Sequence, residues 1–241
     1  MKIFKFSALF FSFCLSVMAV QAQTADEIVN KHIEALGGKQ NIGNIKSLYM
    51  EGVMDVMGNE APIVISMVNG KGYKSEVDFN GQKIVQAYND KGGWMINPMM
   101  GSADPQAMPE EQYKIGKDEM TIGGALLDYA AQGKKVELVG KEKAGTVDAF
   151  KLKLTDADNS ETIYYIDPAT YYIVKMSRNM DMGGQQGQVD VAFSDYKKTD
   201  AGYVMPYTVE TTLPQGFSLN SKITKVELNK DIDLKTFEMP K

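Results

Sequence analysis

Beyond its first 46 residues the chain keeps a strand period almost to its end, and that succession limits it more than any single motif does. The segments "SLYMEGVMDVM", "PIVISMVN", "YKSEVDF" and "KIVQAYN" follow closely on one another between residues 47 and 89. "KVELVGKE", "AFKLKLT", "ETIYYID", "YYIVKMSR", "QVDVAFSDYK", "MPYTVETTL" and "SLNSKITKVEL" follow between 135 and 228. In "YKSEVDF", Tyr73, Val77 and Phe79 fall on one side of the strand, and Lys74, Glu76 and Asp78 on the other. Such alternation belongs to an antiparallel sheet with one dry and one wet face. Asn80-Gly81 is a strong two-residue hairpin signal, since both turn positions take positive φ. "KAGT", "DADNS", "DPAT", "MGGQQG" and "TDAG" supply further turns. The count is about eleven or twelve strands in one strongly curved sheet, a barrel or half-barrel.

Helices interrupt the sheet at two places. "TADEIVNKHIEALGG" begins with a Thr24/Glu27 capping box, places Ile28, Val29, Ile33 and Leu36 on one face, and stops at Gly37-Gly38. The middle segment, Ser102 to Gln132, contains "ADPQAMPEEQYKIGKDEM", with prolines and acids suited to a helix start, and "GGALLDYAAQG", a short helix between glycines.

Residues 1–22 are expected to form a cleaved secretory signal: Lys2 and Lys5, an apolar run from Phe6 to Met18, then small residues before Gln23. Residues 23–241 are expected to form one domain with no transmembrane segment. The only cysteine, Cys14, would leave with the signal, so the mature protein relies on its core and sheet ladders rather than on disulfides. The 26 basic and 31 acidic residues give a net charge of −5, or −7 without Lys2 and Lys5. With acids spread along the chain and Arg178 its only arginine, nucleic-acid binding is excluded as a function class.

Reactive groups are scarce. His32 lies four residues after Ile28 and four before Leu36, the place of a boundary histidine with one hydrogen bond. One histidine and no thiol leave no zinc or iron site of the usual kinds. "DADNSE" (156–161) lacks the ligand spacing of a calcium loop and sits where a hairpin turn is wanted. "IGGALLDY" has neither the lysine nor the spacing of a phosphate loop. Glu110-Glu111 complement the dipole of a helix start. The abundant material is methionine, on inferred strands at 50, 54, 57, 67, 176 and 205 and in loops at 99, 100, 108, 180 and 182. Methionine is unbranched and polarizable, so a surface made of it repacks around ligands of varied shape. Core filling is the plain alternative, and Cu(I) capture in "MDM" or "PMM" a sharper one. "GGWMINPMMG" (92–101) reads as an apolar loop able to cover a cavity mouth, with Trp94 either facing that mouth or plugging one end of the barrel.

The order of parts resembles the LolA/LolB-like superfamily of periplasmic lipoprotein carriers, in its outer membrane lipoprotein-sorting branch. The resemblance is carried by "EALGG" and "SLYMEGVM", then by "GGWMINPMMG" and the central helical interruption. "VELVGKEKAGTVDAFKLKLT", "YYIDPATYYIVKM", "DYKKTDAGYVMPY" and "ITKVELNKDIDLKTFEMPK" continue it to the end of the chain. It implies an unclosed antiparallel barrel whose open side is plugged by helices, with a hydrophobic cavity between them for acyl chains. It further implies a periplasmic monomer, without catalytic residue or cofactor. The ligand would be a lipid or lipid-anchored protein, exchanged with inner- or outer-membrane loading and receiving proteins. The carriers' early arginine, which ties down the lid, has no counterpart here, so a relative binding another lipophilic ligand or sensing mislocalised lipoproteins is equally compatible. An envelope hydrolase using carboxylates, or a scaffold docking a partner through methionine-rich loops, are readings from other classes.

On this reading the cavity lining is expected from the dry faces: Met50, Met54, Ile65, Met67, Tyr73, Val77, Phe79, Trp94, Leu152, Leu154, Tyr164, Met176 and Phe193. The movable cover is expected over Trp94 to Met108 together with "ALLDYAA", with Met95, Met99, Met100, Met108, Leu126 and Leu127 as its apolar residues. A one-residue slip would turn any strand's set to the other face.

Overall fold

The computed structural model describes residues 23–56, 58–181, 186–214 and 216–240. The expected signal, Met57, Met182 and most of the "MGGQQG" turn lie outside the described residues. Helix α1 (Ala25–Ala35) carries the Thr24/Glu27 capping box, and α2 (Lys39–Gly43) follows. Five strands come next: β1 (Ser47–Val56), β2 (Asn59–Val68), β3 (Gly72–Phe79), β4 (Gln82–Asn89) and β5 (Gly92–Asn97). Strand β6 (Ser102–Ala107) and helix α3 (Glu110–Gly116) lead into the middle segment. The second run comprises β7 (Lys135–Ala144), β8 (Val147–Thr155), β9 (Glu161–Ile166), β10 (Ile173–Asp181), β11 (Gln186–Lys198), β12 (Val204–Thr212) and β13 (Ser218–Leu228).

All thirteen strands form one sheet, ordered β6-β5-β4-β3-β2-β1-β13-β12-β11-β10-β9-β8-β7. Every neighbouring pair is antiparallel, and the edge strands β6 and β7 are not joined, so the barrel stays open. The two strands beyond the expected eleven are β5 and β6. Strand β5 was expected as a loop because glycines flank Trp94. Strand β6, "SADPQA", has no alternation, and its proline is tolerated because β6 is an edge.

Curvature follows from the distances. Strands β2 and β8 lie seven steps apart in the order, roughly 33 Å on a flat sheet. Yet Met67 of β2 and Leu152 and Leu154 of β8 belong to one buried core. The sheet must therefore wrap round on itself. Bulges at Glu51/Gly52, Leu138/Gly140 and Ile173/Lys175 bend the strands locally. At Gly52 a Cβ would come within 2.3 Å of the Lys222 carbonyl oxygen, so β13 crosses β1 closely only because glycine is there.

The inner face is closed by helices. Ile28, Val29, Ile33 and Leu36 of α1 join the main core with Leu48, Met50, Leu152, Leu154 and Ile166 of the sheet. His32 is 1 % exposed, and its Nδ1–H donates to the Tyr171 carbonyl at 2.8 Å, which fixes the tautomer because that partner only accepts. This is the single-bonded histidine expected from its place on the helix. On the outer face, the 3₁₀ turn Leu234–Phe237 lies across β3–β5 with Phe237 fully buried. Its ring sits over Gly72, where a Cβ would approach it to 2.3 Å.

Candidate functional site

Strand alternation gives the inner face its lining. Met50 pairs with Ile65, Met67 with Tyr73, Ile63 with Val77, and Leu152 with Tyr164, which in turn pairs with Met176. These rows merge into the main core and a second cluster of Ala61, Ile63 and Val77, against which Met54, Phe79 and Ile84 pack. On β4 and β5 the inward row is Ile84, Gln86 and Tyr88, then Gly93, Met95 and Asn97. The result is a mostly apolar trough that turns polar on the β4–β5 side.

The segment from Met108 to Lys134 covers the trough. Met108 and Met120 pack on Tyr88, and Ile122 and Leu126, each 2 % exposed, enter the main core with Leu127 against it. "ALLDYAA", expected to be a helix, forms turns and only one short 3₁₀ stretch, Tyr129–Gln132. Gly123, Gly124 and Asp128 take positive φ, which breaks a helix at both ends of Ala125–Leu127. Polar ties hold the rim. Gly70 N–H donates to the Met120 carbonyl at 2.7 Å, and Ile122 N–H to Asn69 Oδ1 at 3.0 Å. The Tyr129 hydroxyl bonds Asp26, and Lys39 pairs with Asp128 at 2.5 Å. Lys134, its side chain 5 % exposed, bridges Asp118 at 2.6 Å and Asp156 at 3.0 Å. A polar groove of about 320 Å³ runs beside this bridge, on the rim rather than inside the sheet. Ile122 and Leu126 of the cover are part of the same buried core as the inner face of the sheet.

One polar cluster lies inside. Arg178 follows Met176 by two residues on β10 and therefore shares its inward row. Its guanidinium acts on Glu119 of the cover, on Tyr88 and on Tyr164. Burial pushes the Glu119 carboxyl up to about 7, against the opposing pull of Arg178 and of the Tyr73 hydroxyl. Burial likewise raises Tyr73, Tyr88 and Tyr164, so their phenols are neutral donors. Tyr88 is clasped between the rings of Tyr73 and Tyr113, at centroid distances of 5.9 and 6.4 Å. Among the described residues no three His, Cys, Asp or Glu side chains gather as metal ligands.

At the level of sequence, no family model matches the chain and no curated protein is similar to it. Solved structures are similar in fold. A LolA superfamily protein from Nitrosomonas europaea aligns over 90% of this chain and 98% of its own, at 12% identity and a TM-score of 0.58. This is the LolA-like fold. A domain named for outer membrane lipoprotein sorting, from Vibrio parahaemolyticus, aligns over 88% of this chain and 97% of its own, at 16% identity and a TM-score of 0.56. A DUF1329 family protein from Desulfovibrio piger aligns over 89% and 97%, at 13% identity and a TM-score of 0.57.

Within the LolA-like sheet, twelve of the thirteen expected lining residues fall on the inner face. Phe193 is the least enclosed: it pairs with Val209, is half-buried and joins none of the buried clusters. Trp94 is the exception and corrects the expectation. It pairs with Ala87 on the outer face, packs with Val85 and Ile96, and donates from Nε1 to the Phe237 carbonyl at 2.9 Å. Its neighbour Met95 takes the inward position. Met95 is thus a strand residue, and the cover begins at Met108 rather than at Trp94. Met99 is 58 % exposed in a 3₁₀ turn. The Met100 side chain lies outside what the structure describes.

Sequence reasoning missed Arg178, Glu119 and Tyr88 as members of the interior. The signal for Arg178 is its parity with Met176 on one strand. The position of Trp94 carries a test. A ligand filling the inner face should leave Trp94 emission unchanged, while Gly72→Ala, which forces Phe237 off the outer face, should shift it to the red. A ligand-induced change with the C-terminal turn in place would overturn that placement.

Proposed function

We propose that this protein binds acyl chains of a lipid or of a lipid-anchored protein on the inner face of its sheet, as a non-catalytic carrier in the periplasm. The observation that carries the proposal is the cover. Four of its apolar side chains, Met108, Met120, Ile122 and Leu126, are at most 9 % exposed and fill the trough of an unclosed sheet. Replacing them needs something equally apolar. At about 1.5–3 kcal/mol for each buried side chain, lifting them costs roughly 6–12 kcal/mol. An acyl chain gains about 0.8 kcal/mol per methylene, so a chain of about sixteen carbons offsets that cost and a chain of eight does not. The exposed Lys39–Asp128 tie adds little to the barrier, about 0–1 kcal/mol. The basic start and apolar run of residues 1–22, read as an export signal, support this location, and the Vibrio domain, named for lipoprotein sorting, supports the same class of cargo.

The test is native mass spectrometry of protein purified gently from its own host, followed by titration with fatty acids of increasing length. Copurified lipid, and affinity that rises steeply between eight and sixteen carbons, are expected. A dry protein that takes up no acyl chain of any length would sink the proposal.

A further inference from the structure

We infer that the C-terminal 3₁₀ turn Leu234–Phe237 locks the cover from the opposite side of the sheet: Phe237, seated on the outer face, steadies the two hairpin ends to which the cover is hydrogen-bonded, and unseating it releases the cover. The lock concerns how the cover is held, whatever lies beneath it, and so goes beyond the acyl-chain reading.

Both connections pass through a single thickness of sheet. Residues 69–71 join β2 to β3, and residues 90–91 join β4 to β5. The first turn carries two bonds to the cover, Gly70 N–H to the Met120 carbonyl at 2.7 Å and Ile122 N–H to Asn69 Oδ1 at 3.0 Å. Beside the second, the Tyr113 hydroxyl of α3 donates to the Asn89 carbonyl at 2.8 Å. Gly72 and Asn89 face each other across β3 and β4, and they carry the Phe237 turn on the other side of the sheet. The ring rests directly on Gly72, while the Phe237 carbonyl accepts from Asn89 Nδ2 at 3.1 Å and Trp94 Nε1 at 2.9 Å. Asn89 therefore bonds the cover through its backbone and the lock through its side chain. Gly72 stands two residues beyond Gly70, which bonds the cover directly.

Hairpin ends lie at the margin of a sheet and open locally before its centre does. Bonds from the cover to such ends are only as firm as the ends themselves. A fully buried ring over Gly72 removes that freedom from both hairpins at once. The segment that delivers the ring is moored where it leaves β13. Asn229 N–H donates to the Ser47 carbonyl at 2.9 Å, and Lys46 N–H to Asn229 Oδ1 at 2.7 Å. Within the turn Phe237 is the one buried residue, and Leu234 and Met239 on either side of it are 51 % and 48 % exposed. Without the ring the turn has no anchor on the sheet.

The test reads two signals on the full chain: Trp94 emission for the seat of the turn, and hydrogen exchange over residues 113–122 for the cover. Phe237→Ala removes the ring, whereas Gly72→Ala pushes an intact ring away at a position whose backbone lies outside the left-handed region. Tyr165→Ala is the control, since it empties an outer-face cluster that contains no residue of the cover. Phe237→Ala and Gly72→Ala should each shift Trp94 emission to the red and speed exchange over 113–122 by about tenfold or more, with α1 within about twofold of the wild type. Tyr165→Ala should move neither signal. Gly72→Ala decides the matter if Phe237→Ala does not fold. Cover exchange that stays at the wild-type rate while Trp94 shifts overturns the lock. Equal acceleration in Tyr165→Ala overturns it too, because the loosening is then a general loss of stability. So does an unshifted Trp94 in both variants, which would show that the turn is not seated on the outer face. No arm contains a lipid, so each of these failures leaves the acyl-chain reading standing.

Discussion

Gly116→Ala is expected to loosen the cover by about 1–3 kcal/mol, the usual cost of overpacking, and to speed acyl-chain uptake. Propensity alone argues the other way, since alanine is the better helix former by about 1 kcal/mol. Gly116 has φ −78°, so its backbone suits any residue. The steric conflict decides the sign. A Cβ at Gly116 would lie 2.1 Å from Tyr88 Cζ and 2.4 Å from its hydroxyl oxygen. Tyr88 is 2 % exposed, held between two aromatic rings and bonded by the Gln86 amide, so it cannot retreat. The end of α3 must lift instead, carrying Met120 with it. Hydrogen exchange should accelerate over residues 108–132 and stay slow in α1 and the central strands. Thermal unfolding should drop by roughly 2–12 °C. Tyr88→Leu, which removes the ring, should restore most of the loss in the double variant, a non-additivity expected of residues in contact. A Gly116→Ala protein as stable as the wild type, with unchanged exchange over the cover, would show that α3 does not rest on Tyr88.

The parts of this molecule that were legible beforehand are those whose cause is local. The capping box of α1, its four inward residues and its glycine stop all lie within "TADEIVNKHIEALGG", and the structure repeats them. Asn80 and Gly81 take φ of 55° and 80°, as their turn type requires. Trp94 was misplaced because its side is chosen from far away. Strand β5 has a bulky residue on both rows, Trp94 and Ile96 on one, Met95 on the other, so alternation could not assign a face. Phe237, 143 residues later, assigns it by giving the indole N–H an acceptor on the outer side. The cover was misread for a related reason. "ALLDYAA" has the composition of a helix, but positive φ at Gly123, Gly124 and Asp128 interrupts it, and Gly123 packs close to Ile42 from outside the segment. Tyr88 of β4 and Arg178 of β10 share the inner face across six intervening strands, which no local pattern states.

Acidification should expose two buried groups whose effects on stability oppose each other. Burial lowers His32 from 6.5 to about 4, outweighing the hydrogen bond to Tyr171, which pulls the other way. The folded protein therefore binds fewer protons than the unfolded chain between those values. Its contribution is present above pH 6.5 and is lost as pH falls towards 4, about 3 kcal/mol in all. Glu119 runs in the reverse sense. Its folded value, about 7, stands above the ordinary 4.5, so the folded state holds its proton longer and is favoured at low pH. That advantage is lost as pH rises from 4.5 to 7. Between about pH 4.5 and 6.5 the two slopes offset, and the wild type should be nearly flat in denaturant unfolding. Single variants separate them. His32→Gln, whose amide can still reach the Tyr171 carbonyl, should leave only the Glu119 limb, so stability should fall as pH rises. Glu119→Gln should leave only the His32 limb, so stability should rise with pH over the same interval. The groups facing Glu119 are Arg178, Tyr73 and Asp118, and none of these is altered by either change. Two variants with parallel pH profiles would show that at least one of these groups is solvated in the folded protein. Crossing profiles would place both inside it, one under α1 and one under the cover.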